Sequence, residues 1–296
     1  MSAHVPAHRI VIGIDGSAAA DRALAWGLDE AQRRQVEAHL VAVYSLPMVT
    51  SVGHIGGYVG PALTADEIRD LQASHQRVLD ERIERARVTH PTVTVTSALY
   101  QGAPAAVLLE QAETADLMIV GTRGAGAFEH LLLGSVSHTL AHRAACPVML
   151  VPATAGAGGP KRVIVGVDGS ASSDAALDWA VEEAIICDVD LVVLHAWSHP
   201  YRGEGDEAHR QMERDAAHVL DAALHRAKQR ETAELAVHGL LSELGPVDAL
   251  CEAAGDDDLL VVGARGRGAF RAALLGSTST SVIHHAVGPV VVIRHT

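Results

Sequence analysis

The sequence predicts an α/β protein made of two tandem, doubly wound parallel sheets flanked by helices. Three observations predict it. Strand-like and helix-like runs alternate along the chain, the pattern of βαβ units with right-handed crossovers. The series occurs twice: "RIVIGIDGS" at Arg9 recurs as "RVIVGVDGS" at Arg162, 153 positions on. Finally, 48% of residues are hydrophobic but only 3% aromatic, so the cores must be built from Ala, Val, Leu and Ile. Such residues suit parallel strands covered on both faces.

In the first copy, Ile10 to Ile14 is a β-branched run ending at Asp-Gly-Ser. Ala18 to Arg34 has helical spacing, with Leu24, Leu28 and Ala31 on one face and Asp15 or Ser17 as its cap. His39 to Tyr44 reads as the second strand, Thr64 to Val88 as a long charged helix, and Val93 to Leu99 as the third strand. Ala105 to Glu113 is a helix, Leu117 to Val120 the fourth strand, Ser135 to Arg143 a helix and Val148 to Val151 the fifth strand. The second copy repeats the order and closes with Val290 to Ile293. Residues 1–153 and 161–296 are read as the two domains, and the small, glycine-rich segment 154–160 as their linker. The spacing of the copies drops from 153 to 141 between Tyr44 and Val78, where the first copy has the longer loop. Its Gly-rich part, Ser51 to Gly60, is either a lid or partner surface, or a loose insertion.

A formal net charge of −13 argues against nucleic-acid or acidic-membrane binding, both of which need clustered Lys and Arg. Three cysteines at irregular spacing fit a reducing cytoplasm, and the start shows no apolar leader. His138, His142 and Cys146 are spaced like zinc ligands on a helix face. Pro147 ends any helix there, however, and the second copy has Thr280, His284 and Gly288 instead, so no metal site is read from them.

The chemistry lies in two matching strings, "GTRGAGAFEHLLLGS" from Gly121 and "GARGRGAFRAALLGS" from Gly263, alike at ten of fifteen positions. Each is G-x-x-G-x-G, seven residues, then G-S, set between a buried strand and a helix. In doubly wound sheets ligands bind at the carboxyl ends of strands near a switch in strand order. Glycines there let backbone N–H groups approach an anion, the helix starts favour phosphate, and Ser135, Ser137, Ser277 and Ser279 add hydroxyl donors. The bland alternative is a tight turn that binds nothing. Neither the P-loop pattern G-x-x-x-x-G-K-[ST] nor the dinucleotide pattern G-x-G-x-x-G is present in the strings.

The spacing G-x-x-G-x9-G-[ST], held at Gly121, Gly124, Gly134, Ser135 and at Gly263, Gly266, Gly276, Ser277, resembles the ATP-binding signature of the universal stress protein family. The openings "IVIGIDGS" and "VIVGVDGS" and the endings "CPVMLV" and "GPVVVI" resemble that family too. The resemblance covers nearly the whole chain. It implies, in each half, a five-stranded Rossmann-like (HUP-type) sheet of order 3-2-1-4-5, with ATP beside the first and fourth strands. It implies Asp15 and Asp168 beside adenosine, Gly13 and Gly166 close behind, and Val43 and Ala196 flanking adenine. Ribose and phosphates would lie on Gly121, Thr122, Arg123, Gly124, Ala125, Gly126 and Ala127, then Gly134, Ser135, Val136 and Ser137. In the second copy they would lie on Gly263, Ala264, Arg265, Gly266, Arg267, Gly268 and Ala269, then Gly276, Ser277, Thr278 and Ser279. Arg267 and Arg271 stand where the first copy has Ala125 and Glu129, from which tighter ATP binding at the second site is expected. The resemblance also implies fifth strands paired across a two-fold axis, within one chain or between chains of a homodimer.

The resulting expectation is a cytoplasmic, ATP-binding regulator of stress response or growth arrest, acting through an unidentified protein partner and not by catalysis. One rival is a slow ATPase or phosphotransferase, with Mg2+ on Asp15 and Asp168. The other is an interaction module whose nucleotide sites are vestigial.

Overall fold

A computed structural model describes residues 8–46, 64–124, 133–198, 207–230, 235–266 and 275–294. The first half runs β1 (Arg9–Ile14), α1 (Ala18–Arg34), β2 (Glu37–Tyr44), α2 (Ala65–Thr89), β3 (Val95–Gln101), α3 (Pro104–Ala112), β4 (Leu117–Gly121), α4 (Ser135–Arg143) and β5 (Val148–Val151). The second runs β6 (Arg162–Gly166), α5 (Ala171–Cys187), β7 (Asp190–Ala196), α6 (Glu207–Gln229), β8 (Val237–Ser242), α7 (Pro246–Ala253), β9 (Leu259–Gly263), α8 (Ser277–His285) and β10 (Val290–Ile293).

The strands form one sheet of ten in the order β3-β2-β1-β4-β5-β10-β9-β6-β7-β8. Each half thus has the order 3-2-1-4-5. Pairing is parallel within each half and antiparallel only where β5 meets β10, with Val290 opposite Leu150, Val291 opposite Met149 and Val292 opposite Val148. The two sheets expected from the sequence are therefore continuous, and their fifth strands pair within the chain. Both strands are short and buried throughout. A buried edge must be paired, because unpaired backbone N–H and C=O groups away from water are costly.

Alternate residues of each strand feed two cores. Ile10, Ile12, Leu40 and Ile119 pack with α1 and α2 on one face, while Val11, Val41, Met118 and Leu150 pack with α3 and α4 on the other. The second half repeats this.

Several local readings shift. Ser17, and not Asp15, caps α1, accepting the Ala20 N–H at 3.1 Å. Thr64 caps α2 instead of starting it, in a reciprocal capping box with Glu67. The third strand begins at Val95 because the Val93 N–H closes a turn on the His90 carbonyl. Helix α3 starts at Pro104, a first-turn position where the missing N–H costs nothing. The linker is docked: the Trp26 indole donates to the Gly156 carbonyl, and the Gly156 and Lys161 N–H groups donate to the carbonyls of Asp256 and Asp257.

Where α1 meets α5, the equivalent residues Glu30 and Glu183 are both fully buried, and the Arg34 guanidinium donates to both carboxylates. Together with Cys187 they are the one set of three ligand-type side chains drawn together among the described residues. Arg34 already supplies the countercharge, which argues against a metal there. His138 and His142, weighed above as zinc ligands, instead stack on each other at 4.1 Å. Burial of Cys146 pushes its thiol up to about 12.

Burial, followed by the charge of Glu30, pushes the Glu183 carboxyl up to about 7, against the opposing pull of Arg34. An unfolded-chain glutamate releases its proton near 4.5, so between these values the folded chain holds a proton that the unfolded chain has lost. The Glu183 contribution to stability therefore declines as pH rises from about 4.5 to about 7 and is level above that. Urea midpoints measured from pH 5 to 8 should show this decline in the difference between the unsubstituted chain and Glu183→Gln. An unchanging difference would contradict it.

Candidate functional site

At the carboxyl end of β1 the chain turns through Asp15-Gly16-Ser17 into α1, and at β6 through Asp168-Gly169-Ser170 into α5. Gly16 and Gly169 have φ of +81° and +73°, a region side chains disfavour. The turn brings the Asp15 carboxylate 3.0 Å from the Ser17 N–H. Ser17 then donates its hydroxyl to the Arg123 carbonyl at 3.2 Å. The second half repeats both contacts, Ser170 N–H to Asp168 at 3.0 Å and Ser170 hydroxyl to the Arg265 carbonyl at 3.4 Å. The turn after the first strand and the loop after the fourth are thereby tied together.

The glycines of the strings serve different ends. A Cβ on Gly121 would stand 2.7 Å from the Ala19 backbone carbon, and one on Gly263 2.7 Å from the Ser172 carbonyl oxygen. These two glycines let the helix rest on the strand. A Cβ on Gly124 or Gly266 would instead collide with the carboxylate of Asp15 or Asp168. Those two keep the loop backbone against the acid. Gly134 and Gly276 begin α4 and α8 with no side-chain cap, as Ala103 and Gly245 begin α3 and α7, whereas Ser17, Thr64 and Ser170 cap α1, α2 and α5. First-turn N–H groups without a cap, together with the helix dipole, favour an anion.

Around these features lie two cavities, of about 550 Å³ in the first half and about 310 Å³ in the second. Each sits where β1 or β6 lies between strands running to opposite sides, the switch point of its half. Gly13, Asp15, Val43, Gly121, Arg123, Gly124, Gly134, Ser135, Val136 and Ser137 line the first. Gly166, Asp168, Ala196, Gly263, Arg265, Gly266, Gly276, Ser277, Thr278 and Ser279 line the second. Thr122 and Ala264 do not. They are buried behind the cavity, their N–H groups donating to the carbonyls of Val151 and Ile293 and their carbonyls accepting from Gly134 and Gly276.

One expectation needs correcting. The four serines do not all offer protons to a ligand. Ser137 and Ser279 donate to the Gly121 and Gly263 carbonyls, each at 2.7 Å, and so pin α4 and α8 to the strand ends. Ser135 and Ser277 are the exposed pair. Ala125, Gly126, Ala127, Arg267, Gly268 and Ala269 lie outside the described residues, as do Glu129 and Arg271, so the expected inequality in arginine content has no geometry here.

Other lining residues were missed. Pro104 and Leu108 from α3 wall the first cavity, and Pro246 and Leu250 from α7 the second. The signal was present, since the Pro-x3-Leu spacing recurs 142 positions apart. His75 of α2 also lines the first cavity, and nothing in the charged pattern around it marks it out.

A crevice at the switch point of the sheet, with an uncapped helix start and an acid on the neighbouring strand, marks a doubly wound, Rossmann-like α/β domain, present here twice. The chain belongs to the universal stress protein family, whose sequence model matches residues 6–152 and again 159–294. It is 33% identical over 293 residues to a universal stress protein of Mycolicibacterium smegmatis, covering 96% of each chain. It is 30% identical over 290 residues to one of Mycobacterium tuberculosis, covering 97% of each. The crystal structure of a universal stress protein from Archaeoglobus fulgidus shares the fold at a TM-score of 0.66, with 22% identity, 97% of this chain and 96% of that one covered. Among the described residues no helix is long and apolar enough to cross a membrane.

The contacts at Gly121 and Gly263 make a stability prediction separate from binding. Gly121→Ala and Gly263→Ala should each cost about 1–3 kcal/mol, the usual penalty for overpacking. Urea denaturation measures it, and unchanged midpoints would show that α1 and α5 shift freely.

Proposed function

We propose that each half binds one adenine nucleotide, ATP by the family resemblance, and that the bound nucleotide switches the protein between states that differ in their affinity for a regulatory protein partner in stress response or growth arrest. The observation that carries this reading is the repeated cradle: Gly124 against Asp15 and Gly266 against Asp168, each facing an uncapped helix start. A cavity of about 550 Å³ and one of about 310 Å³ fall within the usual size of small-ligand sites, about 300–1,000 Å³.

In this reading the N–H groups at the starts of α4 and α8 and the exposed Ser135 and Ser277 hold phosphate oxygens. Asp15 and Asp168 accept from the nucleoside, and Val43 and Ala196 lie against the base. Any Mg2+ would come with the phosphates, and a carboxylate that took it would give up the nucleoside contact. We further propose that the role is regulatory and that whole chains form homodimers. The helix starts offer donors to a ligand, which suits binding, and in this reading Asp15 and Asp168 serve the nucleoside, so no base is assigned to water.

The test is calorimetry with ATP on the full chain and on Gly124→Val and Gly266→Val, whose side chains fill the cradles. The unsubstituted chain should take up two nucleotides, each single variant one, and the double variant none. Uptake unaffected by both substitutions would overturn the assignment. Single-turnover hydrolysis should run well below about 1 s⁻¹, and a faster rate would favour an enzyme.

A further inference from the structure

Outside the glycine strings the two cavities are lined from equivalent positions, with Ala20, Val41 and Val43 replaced by Ser173, Leu194 and Ala196, and one lining position of the first has no counterpart in the second. His75 reaches the first cavity from α2. By the spacing of 141 that aligns Val78 with Val219, its counterpart is Ala216, which is buried in the core and does not line the second cavity. His75 sits one helical turn before Val78, whose side chain covers Gly16 of the Asp-Gly-Ser turn. Its ring lies 6.1 Å from that of Tyr44 at the end of β2, next to Val43. It is therefore placed by the ends of the first and second strands, beside Gly16 and Tyr44.

The ring is also oriented. Its Nδ1 lies 2.9 Å from the Leu71 carbonyl oxygen, which can only accept. Nδ1 must carry the proton, so in the neutral ring Nε2 presents a lone pair on the opposite side from the helix backbone. A lone pair is a poor partner for phosphate and a good one for an N–H or O–H donor. The nucleoside offers two kinds, the exocyclic amine of the base and the ribose hydroxyls.

We propose that His75 is a specificity-determining residue of the first site, its Nε2 accepting a hydrogen bond from the nucleoside of the bound nucleotide. This rests on the nucleotide reading above. Among the described residues no α6 side chain lines the second cavity; His209 of α6 instead packs its ring 5.1 Å from that of Trp197. The first site therefore discriminates base and sugar through a group that the described lining of the second cavity does not supply.

Calorimetry on the full chain carrying Gly266→Val, which leaves the first site alone, tests this. Adding His75→Ala should weaken ATP binding about 2- to 13-fold, the value of one hydrogen bond. His75→Gln, which keeps an acceptor at the same reach, should restore most of the loss, which a packing role would not do. ITP in place of ATP isolates the base amine, and 2′-deoxy-ATP isolates one ribose hydroxyl. The analogue that lacks the donor should bind the unsubstituted first site more weakly and lose its sensitivity to His75→Ala. In the Gly124→Val chain, where only the second site is open, His75→Ala should change nothing. Unchanged ATP affinity for His75→Ala in the Gly266→Val chain, or equal losses at both sites, would overturn the inference while leaving nucleotide binding intact. Failure of the unsubstituted chain to bind any nucleotide would overturn the nucleotide reading and this inference with it.

Discussion

The structure depends on the close approach of two loops in each half. The turn after the first strand and the loop after the fourth touch through Asp15 and Gly124, and again through Asp168 and Gly266, so closely that a Cβ there would push the carboxylate aside. Everything else at the site is arranged around that contact. The left-handed glycine aims the aspartate at the loop, and the serine that caps the first helix also holds the loop carbonyl. Gly121 and Gly263 bring that helix down onto the fourth strand. The crevice is then the space left over the strand ends, with uncapped N–H groups on its far side.

The same chain solves a second problem at its centre. Two half-domains with short, apolar fifth strands would each expose a buried-type edge, and antiparallel pairing of β5 with β10 removes both edges at once. The pairing brings α1 and α5 together and forces Glu30 and Glu183, copies of one position, into the same dry space. A duplicated acid can occupy it because Arg34, whose counterpart is Cys187, is not duplicated. Arg33, whose counterpart is Ile186, also donates to Glu30, so departure from the repeat at two residues balances the charge.

How much of this was legible follows from range. The strand and helix runs were readable because periodicity and burial are local, and α1, α4, β5 and β10 fall where the pattern puts them. The third strand was displaced by two residues because a turn bond from Val93 to His90 outweighed the apolar character of Val93. At the site, spacing located the glycines but could not say what each is for. Gly121 and Gly124 look equivalent in the string, yet one faces a helix backbone and the other a carboxylate. Ser135 and Ser137 look like a pair of donors, but 3.6-residue periodicity turns Ser137 inward to the Gly121 carbonyl. His75 was invisible because only the fold brings α2 to the cavity.

The central claim is that these are two working nucleotide sites and not a preserved turn. Gentle purification of the full chain followed by mass spectrometry of the released small molecules tests it most directly. The account predicts an adenine nucleotide, approaching two per chain when ATP is supplied. Recovery of no nucleotide, with no heat of binding at millimolar ATP, would contradict it.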